Sequence, residues 1–381
     1  MSAHPSLPAP GRAPVSEGER IASLDLIRGV AVLGILLMNV VYFNLGEDAY
    51  FNLSAAGSAT WLDWAVGVFG EVFIDQKFMG MFSLLFGAGI ILFIDRASAR
   101  GARGAVLSLW RNLLLLGIGL AHFQLWQGDV LTLYALAAFI LLALRRLPAK
   151  VLMILGTAIF LLSVGSDLYA QNLVNNGAPP GGIWSPTDPE DDTLGYLSWS
   201  AYIVRGLGMV LLGAGLFRTG FMDGGKSRST YLITAIVGLG VGLTLAVLGV
   251  VITALGNYSN QVAFAGQIPN SLGTIPASLG YIALVTLWSA SGNEWLKDRL
   301  QAVGRMALTN YLAQSVLGVL VLTLLLENVN VTRSAALLFV LAVWGLQLWW
   351  SQTWLHHFRF GPAEWIWRSA TYLKWQPRFR A

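Results

Sequence analysis

Apolar runs of membrane-spanning length, roughly 20 residues, recur along this chain, and its polar residues collect in the short turns between them. The pattern predicts ten spans, over residues 24–45, 78–94, 106–126, 130–147, 151–168, 201–217, 231–255, 272–289, 306–326 and 335–355. In lipid each run must satisfy its own backbone polar groups, so each is read as a helix. The expected fold is an all-α polytopic membrane protein. One stretch breaks the pattern. Residues 60–74, TWLDWAVGVFGEVFI, are apolar enough to insert, yet 60–96 as a single helix would measure about 55 Å. Counting 60–74 as a span would also put the basic loop after residue 95 on the outside. It is read as a re-entrant or interfacial helix on the outer face, with Trp61 and Trp64 in an aromatic belt; an eleventh span is the alternative.

Polar residues inside the spans follow a helical stripe. Asp25 and Arg28 are three apart and share a face. Arg28 and Asn39 are eleven apart, close to three turns, and so lie on one stripe about 16 Å long. A helix facing only lipid has no use for such a stripe; one that lines a cavity does. Arg111 and His122 repeat the spacing in the third span.

Composition agrees with the spans. Of 381 residues 55% are hydrophobic and 12% charged, where soluble domains carry about 25% charge; the mean hydropathy is +0.62. The bundle leaves no room for a soluble catalytic domain. There is no cysteine, which excludes disulfides, thiolate metal sites and a cysteine nucleophile; no metal is expected. The net charge of +4 does not imply nucleic-acid binding, because placement of Lys and Arg matters more here than their sum. With the N-terminus inside, inner loops hold Arg96, Arg100, Arg103, Arg145, Arg146, Lys150, Arg218 and Lys297, and the C-terminal tail adds Arg359, Arg368, Lys374, Arg378 and Arg380. The outer loop 169–200 has no Lys or Arg and carries Asp188, Glu190, Asp191 and Asp192. This asymmetry predicts an N-in, C-in topology. Residues 1–19 read as a disordered tail without a signal-peptide pattern, 20–356 as the helical bundle and 357–381 as a cytoplasmic amphipathic segment.

Several polar residues ask for explanation. His122 reads equally as a satisfied core residue or a functional group facing a cavity. Asp129, in the Gly128-Asp129 turn, is expected to cap the next helix and also to lie near His122. Glu71, Asp75 and Lys77 cluster towards the outer rim, where a carboxylate could pair with the lysine. Arg205 could snorkel, pair with a rim carboxylate or hold an anionic substrate group. Asn310 and Gln314 share a helix face and read first as interhelical glue. Pro362 can open a short helix bearing Trp365 and Trp367, read as a surface anchor. The many glycines within spans read as close helix packing.

The segments LDLIRGVAVLGILLMN, KFMGMFSLLFGAGIILF, HFQLWQGDVLTLYA, GRMALTNYLAQS and GPAEWIWR, in this order, resemble the bacterial YeiB-like family, whose C-terminal half is the domain of unknown function 418. The resemblance covers nearly the whole chain after the tail. It implies membership of a transmembrane acyltransferase superfamily with heparan-α-glucosaminide N-acetyltransferase, in which a cytoplasmic acyl-CoA supplies an acyl group to an acceptor on the far side. In that lysosomal relative a catalytic Asn on the first span is followed by a His in the next loop. Asn39 matches the Asn; nothing between Asn39 and Tyr50 is a His.

The residues suit such a reaction. Acyl transfer needs a polyanion site, a base and oxyanion donors. Arg28, beside Asp25, with Arg111, Arg305 and Arg368 could hold CoA phosphates. His122, oriented by Asp129, could be the base and Asn39 an oxyanion donor. Arg205, Glu71, Lys77, Asn310 and Gln314 are candidates for the acceptor, which could be a glycan, a lipid-linked molecule or a small molecule. Two other classes remain open. A transporter or flippase would use the same polar stripes, although no inverted repeat of paired broken helices stands out. The third class is a non-catalytic membrane partner.

Overall fold

The computed structural model of the protein describes residues 21–185, 193–290 and 294–379. The tail 1–19, the acidic group Asp188, Glu190, Asp191 and Asp192, and Arg380 lie outside the described residues. The described chain is helical throughout. It runs α1 (Ala22–Asn44), α2 (Glu47–Phe51), α3 (Trp61–Phe69), α4 (Lys77–Ala99), α5 (Gly104–Leu125), α6 (Leu131–Leu144) and α7 (Ala149–Asn175). It continues with α8 (Thr193–Arg218), α9 (Arg228–Leu255), α10 (Gln267–Ser289), α11 (Glu294–Arg305), α12 (Ala307–Gly318), α13 (Arg333–His357) and α14 (Pro362–Tyr372). Short π-helical turns extend α3 over Gly70–Ile74 and α12 over Val319–Leu325.

Among the described residues, nine helical runs are long and apolar enough to cross a membrane. Large apolar side chains such as Ile233, Ile236, Leu338 and Leu162 are exposed on them. Exposed apolar surface on this scale calls for lipid rather than water. All ten expected spans are helices, but α6 has only 14 residues, about 21 Å against a core of roughly 30 Å. It is buried along Leu131, Tyr134, Ala138 and Leu141. Its ends are closed by protein groups: Asp129 accepts from the Thr132 N–H at one end, and Arg145 Nη1 donates to Leu142 O at the other.

The stretch 60–74 is not a long helix of its own. α3 is opened by a Thr60–Asp63 capping box, and Asp63 also accepts from Ser334 N and Oγ, tying α3 to the start of α13. Nine residues, about 14 Å, cannot cross by themselves. The chain runs from α3 through the π turn into α4 with one break, at Asp75-Gln76, where Gln76 takes φ 60°. That left-handed conformation is unusual for a residue with a side chain. The Gln76 amide is held by Gln267, Ser271 and Thr274 of α10.

Glycines bring backbones together where the spans cross. A Cβ on Gly304 would fall 1.8 Å from Asp25 O, and one on Gly29 2.0 Å from Leu300 O. Only glycine permits α1 and α11 to touch there, and the contact fixes Arg28 and Arg305 at one end of the bundle. At the opposite end the connections pack on one another. Asn52 Nδ2 donates to Trp184 O, Trp184 Nε1 donates to Tyr258 O, and the Trp64 and Tyr258 rings lie 5.2 Å apart.

Candidate functional site

Two cavities enter the bundle from opposite ends. The first, of about 270 Å³, is lined by Arg28 of α1, Arg96 of α4, Arg111 of α5, Arg305 of α11 and Arg368 of α14. Its two carboxylates are engaged: Asp25 Oδ1 lies 2.7 Å from Arg28 Nη1, and Glu364 caps α12. Glu364 Oε1 accepts from Leu308 N at 2.7 Å and Thr309 N at 3.1 Å, and Oε2 accepts from Thr309 Oγ1. This cap docks α14 on the bundle. α14 is therefore a wall of the basic cavity as well as a surface helix: Trp367 Nε1 donates to Arg111 O, and its ring stacks 3.8 Å from the Arg111 guanidinium. The Phe93 ring also lies under this guanidinium, at 4.7 Å. Deeper in, the wall becomes apolar and aromatic, with Phe82, Phe86, Leu115, Tyr134 and Tyr311.

The second cavity, of about 150 Å³, opens at the other end. Asn39, Glu47, Asp75, Gln76, Asp167 and Arg205 give it polarity, and Tyr42, Tyr50, Trp126, Trp184, Trp199 and Tyr202 line it with rings. Burial raises the Glu47 carboxyl above its ordinary range, against a hydrogen bond from Trp199 that lowers it. The two cavities share Ile35 and Val130 as lining residues. The α1 stripe therefore faces both: Arg28 the basic cavity, Ile35 the partition, Asn39 the opposite cavity.

His122 and Asp129 line neither cavity themselves; they lie behind the lining residues Trp126, Val130 and Tyr311. His122 Nδ1 is 2.8 Å from Asp129 Oδ1, with the two side chains 3% and 0% exposed. Asp129 is held in turn by Leu131 N and Thr132 N. A carboxylate only accepts, so Nδ1 carries a proton, and in the neutral ring Nε2 presents a lone pair. Nε2 has no partner among the described residues. The His122 ring is 5.2 Å from Tyr311, on the basic cavity, and 6.1 Å from Trp126, on the opposite one. Tyr311 Oη accepts from Val130 N, which ties the basic-cavity wall to a residue that both cavities share. A buried polar atom without a partner costs about 1–3 kcal/mol, and three collect here: His122 Nε2, Trp126 Nε1 and Thr132 Oγ1.

The other candidates are placed as follows. Arg205 Nη2 lies 3.1 Å from Asp167 Oδ2 and 3.0 Å from Ser271 Oγ, on the wall of the opposite cavity. Lys77 is fully buried, and its ammonium donates to the Glu71 main-chain carbonyl and to Asn270 Oδ1 rather than to a carboxylate side chain. Asn270 passes the contact on to Asp75, which also accepts from Tyr50. The Glu71 carboxyl belongs to neither of the two cavities. Asn310 and Gln314 are buried away from both. Asn310 bonds Val303 O, Ser351 and Trp350, Gln314 bonds Val32 O and Gln347, and Gln347 returns to Asn310 O. Arg96, Asp167, Asp75 and Trp126 line the cavities without having been singled out for a site by the sequence. Of these, Arg96 had a usable signal, since it lies fourteen residues after Phe82 on the α4 face that lines the basic cavity.

A polytopic helical protein with a basic cavity at one end and a polar, aromatic cavity at the other is the class defined so far. Comparison with known proteins places it further. The family model described as "Protein of unknown function (DUF418)" matches residues 216–374. The chain is 31% identical to the uncharacterized protein YeiB of Escherichia coli (strain K12), over 93% of this chain and 96% of that protein. It is 30% identical to the uncharacterized protein YxaH of Bacillus subtilis (strain 168), over 96% and 97%. It is also 30% identical to an uncharacterized 39.9 kDa protein in the amylase 3′ region of Bacillus acidopullulyticus, over 94% and 96%. The chain belongs to the YeiB-like DUF418 family.

Proposed function

We propose that the protein is a membrane acyltransferase that takes an acyl group from acyl-CoA in the basic cavity and passes it to an acceptor in the opposite one. The observation that carries this reading is the His122–Asp129 pair beside the partition at Ile35 and Val130, which both cavities share. Five arginines with two engaged carboxylates suit the phosphates of CoA. The apolar depth beyond them suits the pantetheine arm and acyl group. His122 Nε2 would take the proton from an acceptor hydroxyl or amine, with Asp129 holding the ring and stabilising the imidazolium as it forms. The acceptor is a glycan, a lipid-linked molecule or a small molecule, met by the rings and polar groups around Asn39 and Arg205.

In this proposal the basic cavity faces the cytoplasm of a bacterial plasma membrane and both chain ends lie inside. A membrane-impermeant thiol reagent should label a cysteine placed at exposed Gly182 on intact cells, and one placed at Ala99 only after permeabilisation. The reverse pattern inverts the protein. The main test is binding. Purified protein should bind acetyl-CoA in calorimetry, more weakly as salt screens the arginines. Absence of binding at low salt would remove the proposal. A transporter is the second reading, supported by the broken run at Asp75-Gln76 on the wall of a cavity. Movement of a substrate across proteoliposomes without CoA would favour it.

A further inference from the structure

We propose that the Trp126 indole N–H is a catalytic hydrogen-bond donor to the reacting acyl carbonyl. The role rests on the acyl-transfer reading above and adds a residue to it.

Many of the indoles are paired. Trp184, Trp344, Trp350, Trp354 and Trp367 each donate to a named carbonyl or amide oxygen. Trp126 is buried at the end of α5, and its Nε1–H has no partner among the described residues. The ring is not free to seek one: Phe43 packs on it at 4.8 Å and Tyr42 at 6.1 Å. It lines the cavity opposite the arginines and meets the His122 ring edge-on at 6.1 Å and 76°.

The two unpaired atoms are of opposite kinds. His122 Nε2 is an acceptor and Trp126 Nε1–H a donor, on neighbouring rings, and they do not bond each other. Such a pair is complementary to a guest that presents one donor and one acceptor close together. An acceptor O–H or N–H approaching a thioester carbonyl presents those two groups. His122 Nε2 takes the proton as the new C–O or C–N bond forms, and the carbonyl electron pair moves onto oxygen, where the indole N–H meets it. When the C–S bond breaks, the CoA thiolate leaves and recovers the proton from His122. Atoms and charge balance without a further reagent. An indole N–H cannot accept or lose a proton in this step, so it suits the oxyanion and not the base.

The test uses the intact protein with acetyl-CoA, water serving as the acceptor, and reads release of the CoA thiol. Because the chain has no cysteine, every thiol counted comes from the substrate. Replacing the Trp126 indole by benzothiophene, which puts sulfur in place of Nε1–H, keeps the ring shape; Trp126→Phe is the genetic counterpart. We expect the benzothiophene protein to bind acetyl-CoA like the parent, with KM nearly unchanged and kcat down by ~100-fold or more. Full turnover by the benzothiophene protein alongside a slow Trp126→Phe would make Trp126 a packing residue and overturn the proposal. A parent that binds acetyl-CoA yet releases no thiol would overturn the acyl-transfer reading itself.

Discussion

Asp129 serves two masters: its Oδ1 lies 2.8 Å from His122 Nδ1 on α5, and its Oδ2 accepts from the Thr132 N–H at the start of α6. One carboxylate thus orients a buried imidazole and caps the helix that follows, and the two roles separate by substitution. Asp129→Asn retains an oxygen for the cap but puts an amide N–H in competition for Nδ1, which disturbs the tautomer. Its unfolding temperature should stay near the parent's, while thiol release from acetyl-CoA falls by about a hundredfold or more. Asp129→Ala loses both roles and should also lose about 1 kcal/mol from the cap, read as a lower melting temperature in detergent. An Asn variant with parental turnover would reduce Asp129 to a cap.

Arg111 makes the second prediction. Its guanidinium lies over the Trp367 ring at 3.8 Å and over the Phe93 ring at 4.7 Å, and it lines the basic cavity. A planar, weakly hydrated cation suits that slot; an ammonium does not. Arg111→Lys keeps the charge and should still weaken acetyl-CoA binding, by several-fold at least. Arg111→Gln should weaken it more and flatten its dependence on salt. Equal affinity of both variants and the parent would place the phosphates elsewhere.

Helical period explains what could be read from the chain before its structure. Arg28 and Asn39, eleven apart, face two cavities along one stripe; Arg111 and His122 share a stripe on α5 by the same arithmetic, Arg111 lining the basic cavity and His122 lying behind the lining residues Tyr311 and Trp126. Such relations lie within a single helix, where 3.6 residues per turn decides the face. The pairing of Arg205 with Asp167, or of Asp75 with Asn270 and Tyr50, joins different helices, and no spacing within the chain encodes it. Lys77 reads as a rim lysine because the chain before it looks like a surface element. The break at Gln76 instead turns α4 inward against α10 and buries the ammonium. Trp126 carries no signal in the sequence; its unpaired N–H is a property of packing alone.

The amide group around Asn310 tests the division between glue and site. Gln347 Nε2 donates to Asn310 O, and its Oε1 accepts from Gln314. All three side chains are buried and none lines either cavity. Gln347→Met should destabilise the protein by about 0.6–2 kcal/mol for each bond lost between helices. Acetyl-CoA affinity should not change. Weakened binding at unchanged stability would return these amides to the substrate site.

Glu364 makes a prediction about pH. Its carboxylate is buried against the start of α12, outside the membrane-spanning helices, where it accepts from Leu308 N, Thr309 N and Thr309 Oγ1. Burial raises its pKa above the ordinary 4.5, and the hydrogen bonds from Thr309 and the backbone only partly offset that. The folded protein therefore holds the proton more tightly than the unfolded chain. Below 4.5 both states are protonated, and the contribution to stability is fully present. As pH rises the unfolded carboxyl ionises first, and the contribution is lost progressively until the folded carboxyl has ionised as well. Melting temperatures of the detergent-solubilised parent should thus fall as pH rises above the ordinary carboxyl range more steeply than those of Glu364→Gln, which has no proton to lose. Because the same side chain docks α14 over Arg111, the variant should also report on the basic cavity. If Gln preserves the cap through its one carbonyl oxygen, acetyl-CoA binding survives while the steeper slope disappears. Equal slopes in parent and variant would mean that the folded and unfolded carboxyls titrate together, and that the α12 cap is as well solvated as open chain.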